Sequence, residues 1–115
     1  LFADADGESH LGDIELDVSL IQYAPPAPAL ELTDPVEAQR FVWIRFPEGW
    51  QDAAHVSPRR QVFVLIEGEI ECWTSSGDRR TVKPGDRVLM EDTTGKGHGA
   101  RTVDGVAFGL MIALE

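Results

Sequence analysis

The sequence predicts an all-β domain, a sandwich or barrel of short antiparallel strands. Three observations carry that reading. From Gln39 onward the apolar residues recur with a period of two, which in a strand puts alternate side chains on one face. These stretches are rich in aromatic and β-branched residues and are cut by glycine- or proline-containing turns at roughly 8–12-residue spacing. No stretch carries a helical period. A chain of 115 residues suffices for one such domain with a single core.

Taken in order, residues 1–12 are acidic and glycine-containing and read as an ordered arm or a frayed terminus. Ile14–Ile21 alternates weakly and could form a strand. Tyr23–Leu30 holds Pro25, Pro26 and Pro28 and is expected to be extended, since proline lacks an N–H and drives its predecessor out of the α region. Pro35–Ala38 has room for one helical turn at most. Phe41–Phe46 reads as a strand ending at Pro47-Glu48-Gly49, and Gln61–Glu67 as one ending at Gly68. Glu69–Thr74 stops at Ser75-Ser76-Gly77-Asp78, a hairpin signal. Arg80–Lys83 ends at Pro84-Gly85, Arg87–Met90 at Asp92-Thr93-Thr94-Gly95, and Val106–Leu114 closes the chain. The organisation is then an acidic, Pro-rich arm over 1–37, packing on the barrel or on a partner, and a β-barrel over 38–115. Phe41 and Trp43 occupy one face of their strand, and Val42, Ile44 and Phe46 the other. A strand apolar on both sides calls for a second buried surface, and a homodimer is the expectation.

Charge and composition exclude several classes. Twenty acids against ten bases give a formal charge of −10, which argues against nucleic acid as a partner, because phosphates repel such a surface. The apolar run Val106–Leu114 is far too short for a membrane span. Residues 1–39 hold nine acids and no Lys or Arg, against the basic region that a signal or transit peptide needs. One cysteine, Cys72, rules out an internal disulfide and a multi-cysteine zinc site, so a reducing, cytoplasmic setting is expected. Gly95-Lys96 is no phosphate loop, because Met90 stands where its first glycine belongs.

Two motifs carry a resemblance. The first is Gly49, five residues, His55-Val56-Ser57, three residues, Gln61, then a strand ending at Gly68; the second is Pro84-Gly85-Asp86, a strand, a turn and His98. In these anchors the stretch from Gly49 to His98 resembles the cupin superfamily, and Glu91-Asp-Thr-Thr-Gly-Lys-Gly-His98 is similar to a subgroup of small bacterial cupins. The resemblance implies a double-stranded β-helix (jelly-roll) barrel with a functional centre inside it. Ser57 stands where the family has a second histidine and Gln61 where it often has an acid, so the usual metal chemistry is implied less strongly than the fold.

The residues themselves support a site at His55, Gln61 and His98. His55 and Ser57 share a strand face, as do Gln61 and Phe63. Two imidazoles and an amide oxygen could hold a divalent transition metal, imidazole being a common ligand for such ions. Without a metal, His55 and His98 are acid–base candidates, with Ser57 and Gln61 orienting a ring or a substrate oxygen and Phe63 forming an apolar floor. Arg45 and Arg59 are candidates for holding a substrate carboxylate, inside the barrel and at its mouth respectively. Two functions follow: an enzyme acting on a small organic molecule, as an isomerase, cyclase, lyase or dioxygenase, or a non-catalytic ligand-binding or sensor module.

Overall fold

The computed structural model describes residues 1–115, in eleven strands and no helix. They are β1 (Phe2–Ala3), β2 (Ser9–His10), β3 (Ser19–Ile21), β4 (Leu30–Leu32), β5 (Arg40–Phe46), β6 (Gln61–Glu67), β7 (Ile70–Thr74), β8 (Arg79–Val82), β9 (Arg87–Met90), β10 (His98–Thr102) and β11 (Ala107–Ala113). All pairings are antiparallel. One sheet has the order β5-β11-β6-β9 and the other β10-β7-β8, with β1-β2 and β3-β4 as separate two-stranded ribbons. Single bridges at Gln51–Arg101 and His55–His98 lay residues 51–55 along the free side of β10. No helix is long and apolar enough to cross a membrane.

The strands form where the period of two predicts them, and the period sorts their faces. Gln61, Phe63 and Leu65 of β6 and Ile70, Cys72 and Thr74 of β7 are buried, while the residues between them are only partly covered or exposed. Phe63, Leu65, Ile70, Val82 and Ala107 make the core, joined by Ile44, Phe46, Val88, Met90, Ala100 and Met111, so it lies between the two sheets. The turn after β7 closes as its residues demand: Thr74 N–H donates to Asp78 O and Gly77 N–H to Thr74 O. Gly68 links β6 to β7 with φ +82°, and an added Cβ there would meet the Ala107 backbone.

The N-terminal arm behaves as two pieces. Residues 1–11 are tied to the body, through Glu91 N–H to Leu1 O, Ser76 N–H to Ser9 O and Lys96 N–H to Gly7 O. Residues 12–39 are mostly exposed and hold the β3-β4 ribbon, tied to the body near their ends by the Asp13–Arg80 ion pair and by Gln39 N–H to Ala113 O. Two sequence expectations need correction here. Ile14–Ile21 is a strand only over Ser19–Ile21, because Asp13 to Val18 have no neighbouring strand. Tyr23–Leu30 is not extended throughout: Ala27 N–H donates to Ala24 O, and this turn reverses the chain between β3 and β4. Pro35–Ala38 forms no helical turn, within the upper bound of one that the sequence set.

Candidate functional site

A cavity of about 220 Å³ lies between the sheets. Its walls are Ile44 and Phe46 from β5, Phe63 from β6, Val88 and Met90 from β9 and Met111 from β11 on one side. Ile70, Cys72, Val82 and Ala100 stand on the other. Leu1 and Trp50 also line it, and His55, Gln61 and His98 are its polar residues. This is an apolar chamber with a few convergent polar groups, the usual make-up of a small-molecule site.

Strand alternation places these groups. His98 opens β10, on the inward face shared with Ala100, and is 4% exposed. His55 faces it across a two-way backbone bridge, each amide donating to the other's carbonyl at 2.9 Å. The ring centroids are 4.6 Å apart. His55 is 47% exposed, so it stands where the chamber meets solvent. The glycine-rich turn makes this approach possible. Gly97 has φ +76°, and a Cβ on it would overlap the His55 carbonyl.

Behind His98 lies a residue to which the sequence reading assigned no role. Asp92 is wholly buried. Its Oδ2 accepts from His98 Nδ1 at 2.6 Å and its Oδ1 accepts from Ser57 Oγ at 2.6 Å. Its carbonyl also accepts from the Ser57 amide. Burial alone pushes this carboxyl's pKa up, but the hydrogen bonds from His98 and Ser57 outweigh it and hold Asp92 below its ordinary 3.8. A carboxylate accepting at Nδ1 fixes that nitrogen as the protonated one, which leaves Nε2 of a neutral ring as the free base. His55 has a carboxylate of its own. Asp52 Oδ2 lies 2.6 Å from His55 Nδ1 but out of line with an N–H, so this buried oxygen has no hydrogen-bond partner, while Oδ1 accepts from the Ala100 amide.

The structure thus brings His55, Gln61, Phe63 and His98 to one cavity. Gln61 is buried, with Nε2 donating to Met90 Sδ at 3.8 Å. Ser57 is buried but sits behind His98, bonded to Asp92, and does not line the chamber. Arg45 is a correction, and Arg59 lies outside the cavity lining. Arg45 shares the outward parity of Trp43, and the register that points Ile44 and Phe46 inward carries it to solvent. Arg59 lies before β6 and reaches the Glu115 carbonyl. Neither lines the cavity, which contains no arginine or lysine. The signal for Asp92 was present, since an imidazole in an apolar chamber needs a partner for Nδ1 and an acid stood six residues upstream. Cys72 lines the wall, but burial pushes its thiol up to about 11, so it is protonated and poorly nucleophilic.

As ligands for a metal ion, the cavity's donors are all neutral. His55, His98 and Gln61 supply two imidazoles and an amide, with no anionic donor. The nearest carboxylates, Asp92 and Asp52, stand behind the imidazoles at Nδ1 rather than beside Nε2. No cluster of three His, Cys, Asp or Glu side chains has the geometry to hold an ion. These residues do not suit a tightly held dication.

No protein-family model matches the chain, and no curated protein matches it. Among solved structures, it is similar to protein NMB1881 from Neisseria meningitidis, with 16% identity and a TM-score of 0.47 over 65% of this chain and 72% of that one.

Proposed function

We propose that this chain is a cupin-type jelly-roll barrel that binds a small, neutral, largely apolar molecule in its cavity and moves a proton on it through His98. The observation that carries this reading is the Ser57–Asp92–His98 chain, two hydrogen bonds of 2.6 Å ending at the wall of an apolar chamber. The absence of a cationic side chain from that wall favours a neutral substrate over a carboxylate. In a reducing, cytoplasmic setting, Cys72 stays a thiol. A homodimer is the proposed assembly.

The chemistry follows from the placement of protons. His98 Nε2 takes a proton from a carbon beside a carbonyl; the C–H electron pair becomes the C=C bond of an enolate and the carbonyl π pair moves onto oxygen. Asp92 stabilises the imidazolium without itself being protonated. His55 or the Gln61 amide donates to the developing oxyanion. Where the ketone carries a β,γ double bond, the enolate is a dienolate, and His98 returns the proton at its γ-carbon, which completes an isomerisation. No step runs through a metal.

The test is a panel of small neutral aromatic and alicyclic ketones in deuterated buffer. The readouts are the imidazole NMR signals of His55 and His98 and deuterium uptake at the ketone α-carbon. A bound ketone is expected to exchange faster than in buffer, and His98→Ala is expected to remove the exchange while retaining binding. Binding without exchange would establish the non-catalytic ligand-binding reading instead. No binding at all would overturn both.

A further inference from the structure

A second feature is unrelated to the cavity. Fourteen large apolar side chains are exposed, and eleven of them fall between Ile14 and Trp43, eight on the arm and three on β5. Exposed apolar groups are ordinary when scattered and informative when contiguous. On β5, Phe41 and Trp43 are 60% and 62% exposed. Strand register extends them into two rows across the outer face of the four-stranded sheet. One row is Phe41, Ile112, Val62 and Leu89; the other is Trp43, Leu110, Val64 and Arg87. Three strand spacings make this stripe about 14 Å wide. Phe41, Trp43 and Arg87 are exposed, and the other five residues of the two rows are partly covered.

The arm has the complementary defect. β3 and β4 pair only with each other, and a two-stranded ribbon alone is marginal in water. Leu20, Tyr23 and Val36 are each at least 66% exposed. The radius of gyration is 15.8 Å, against about 13 Å for a compact chain of this length, because the arm projects from the body. Charge matches as well. Residues 12–39 hold six acids and no base, and five of these (Glu15, Asp17, Glu31, Asp34, Glu37) make no ion pair. Arg45 and Arg87, at the two edges of the apolar stripe, are also without an ion pair.

We propose that the arm of one copy seats on the outer face of the four-stranded sheet of a second copy, reciprocally, in a twofold dimer. Each copy carries both the arm and the face, so one twofold axis satisfies both surfaces twice and closes the assembly. Arm leucines cover the Trp43 and Phe41 rows, and arm carboxylates meet Arg45 and Arg87 at the rim. This is why Arg45, which the sequence suggested as a substrate ligand, points outward.

The experiment uses the full chain and sedimentation at micromolar concentration, with circular dichroism to confirm folding. Wild type is expected to be a dimer. An arm variant, Leu20→Asp with Leu30→Asp, and a face variant, Phe41→Asp with Trp43→Asp, are each expected to be folded monomers, since all four side chains are exposed. Mixing the two variants restores one intact arm-on-face contact, and a heterodimer is expected. A monomeric wild type overturns the proposal, as does a dimer that survives the arm substitutions. A mixture that stays monomeric shows that face meets face or meets another protein, and overturns it too. None of these outcomes depends on the ketone reading of the cavity.

Discussion

At the scale of single residues, the costly element is Asp92, a carboxylate removed from water and balanced by two side-chain donors. Asp92→Ala strands the Ser57 hydroxyl and the His98 N–H in a dry site, which costs about 1–3 kcal/mol, read by urea unfolding. The acid limb of stability tests the same group. The folded pKa of Asp92 lies below its ordinary 3.8, so its contribution is present above 3.8 and is lost as the pH falls through the lower folded value. Asp92→Asn is expected to flatten that limb. If the variant loses stability in acid as steeply as wild type, Asp92 is not the group responsible. Cys72, with its thiol raised to about 11, should react with iodoacetamide only after unfolding. Gln61→Glu adds the missing anionic donor beside two imidazoles and is expected to strengthen zinc binding at least tenfold by calorimetry, about 1.4 kcal/mol. His98→Ala should remove zinc binding in that background.

At the scale of elements, the turn before β10 decides whether the site exists. Gly97 combines a positive φ with a backbone neighbour where a Cβ would stand. Gly97→Ala is expected to cost about 1–3 kcal/mol and to part His55 from His98. Faster hydrogen exchange at the two bridging amides would report this, and unchanged protection there would refute it. Most strands were legible because alternation and turn residues agreed. Gln61–Glu67 was read with its true ends, and Phe41–Phe46 and Val106–Leu114 were each off by one residue per end at most. The arm was read less well. Its proline run suggested extension, yet Ala24–Ala27 turns back on itself once Leu30–Leu32 is available to pair with Ser19–Ile21.

At the scale of the whole molecule, the two sheets share one core, and Leu65 is fully buried within it. Leu65→Ala is expected to cost about 2–5 kcal/mol in urea unfolding, through lost transfer energy and the void left behind. A loss under about 1 kcal/mol would mean that the sheets are not packed as described. The sequence by itself determined the all-β class, the alternation that turns Phe63 inward, and the spacing that sets His55, Gln61 and His98 on neighbouring segments. These are local properties, written in periods of two and in turn chemistry. Only the tertiary structure decided that Asp92 is buried behind His98 and bonded to Ser57, 35 residues away. It alone sent Arg45 to the outer face and left the arm uncovered. Which acid loses its water, and which face of a two-sided strand meets the core, depends on long-range packing, and no short stretch of sequence records that.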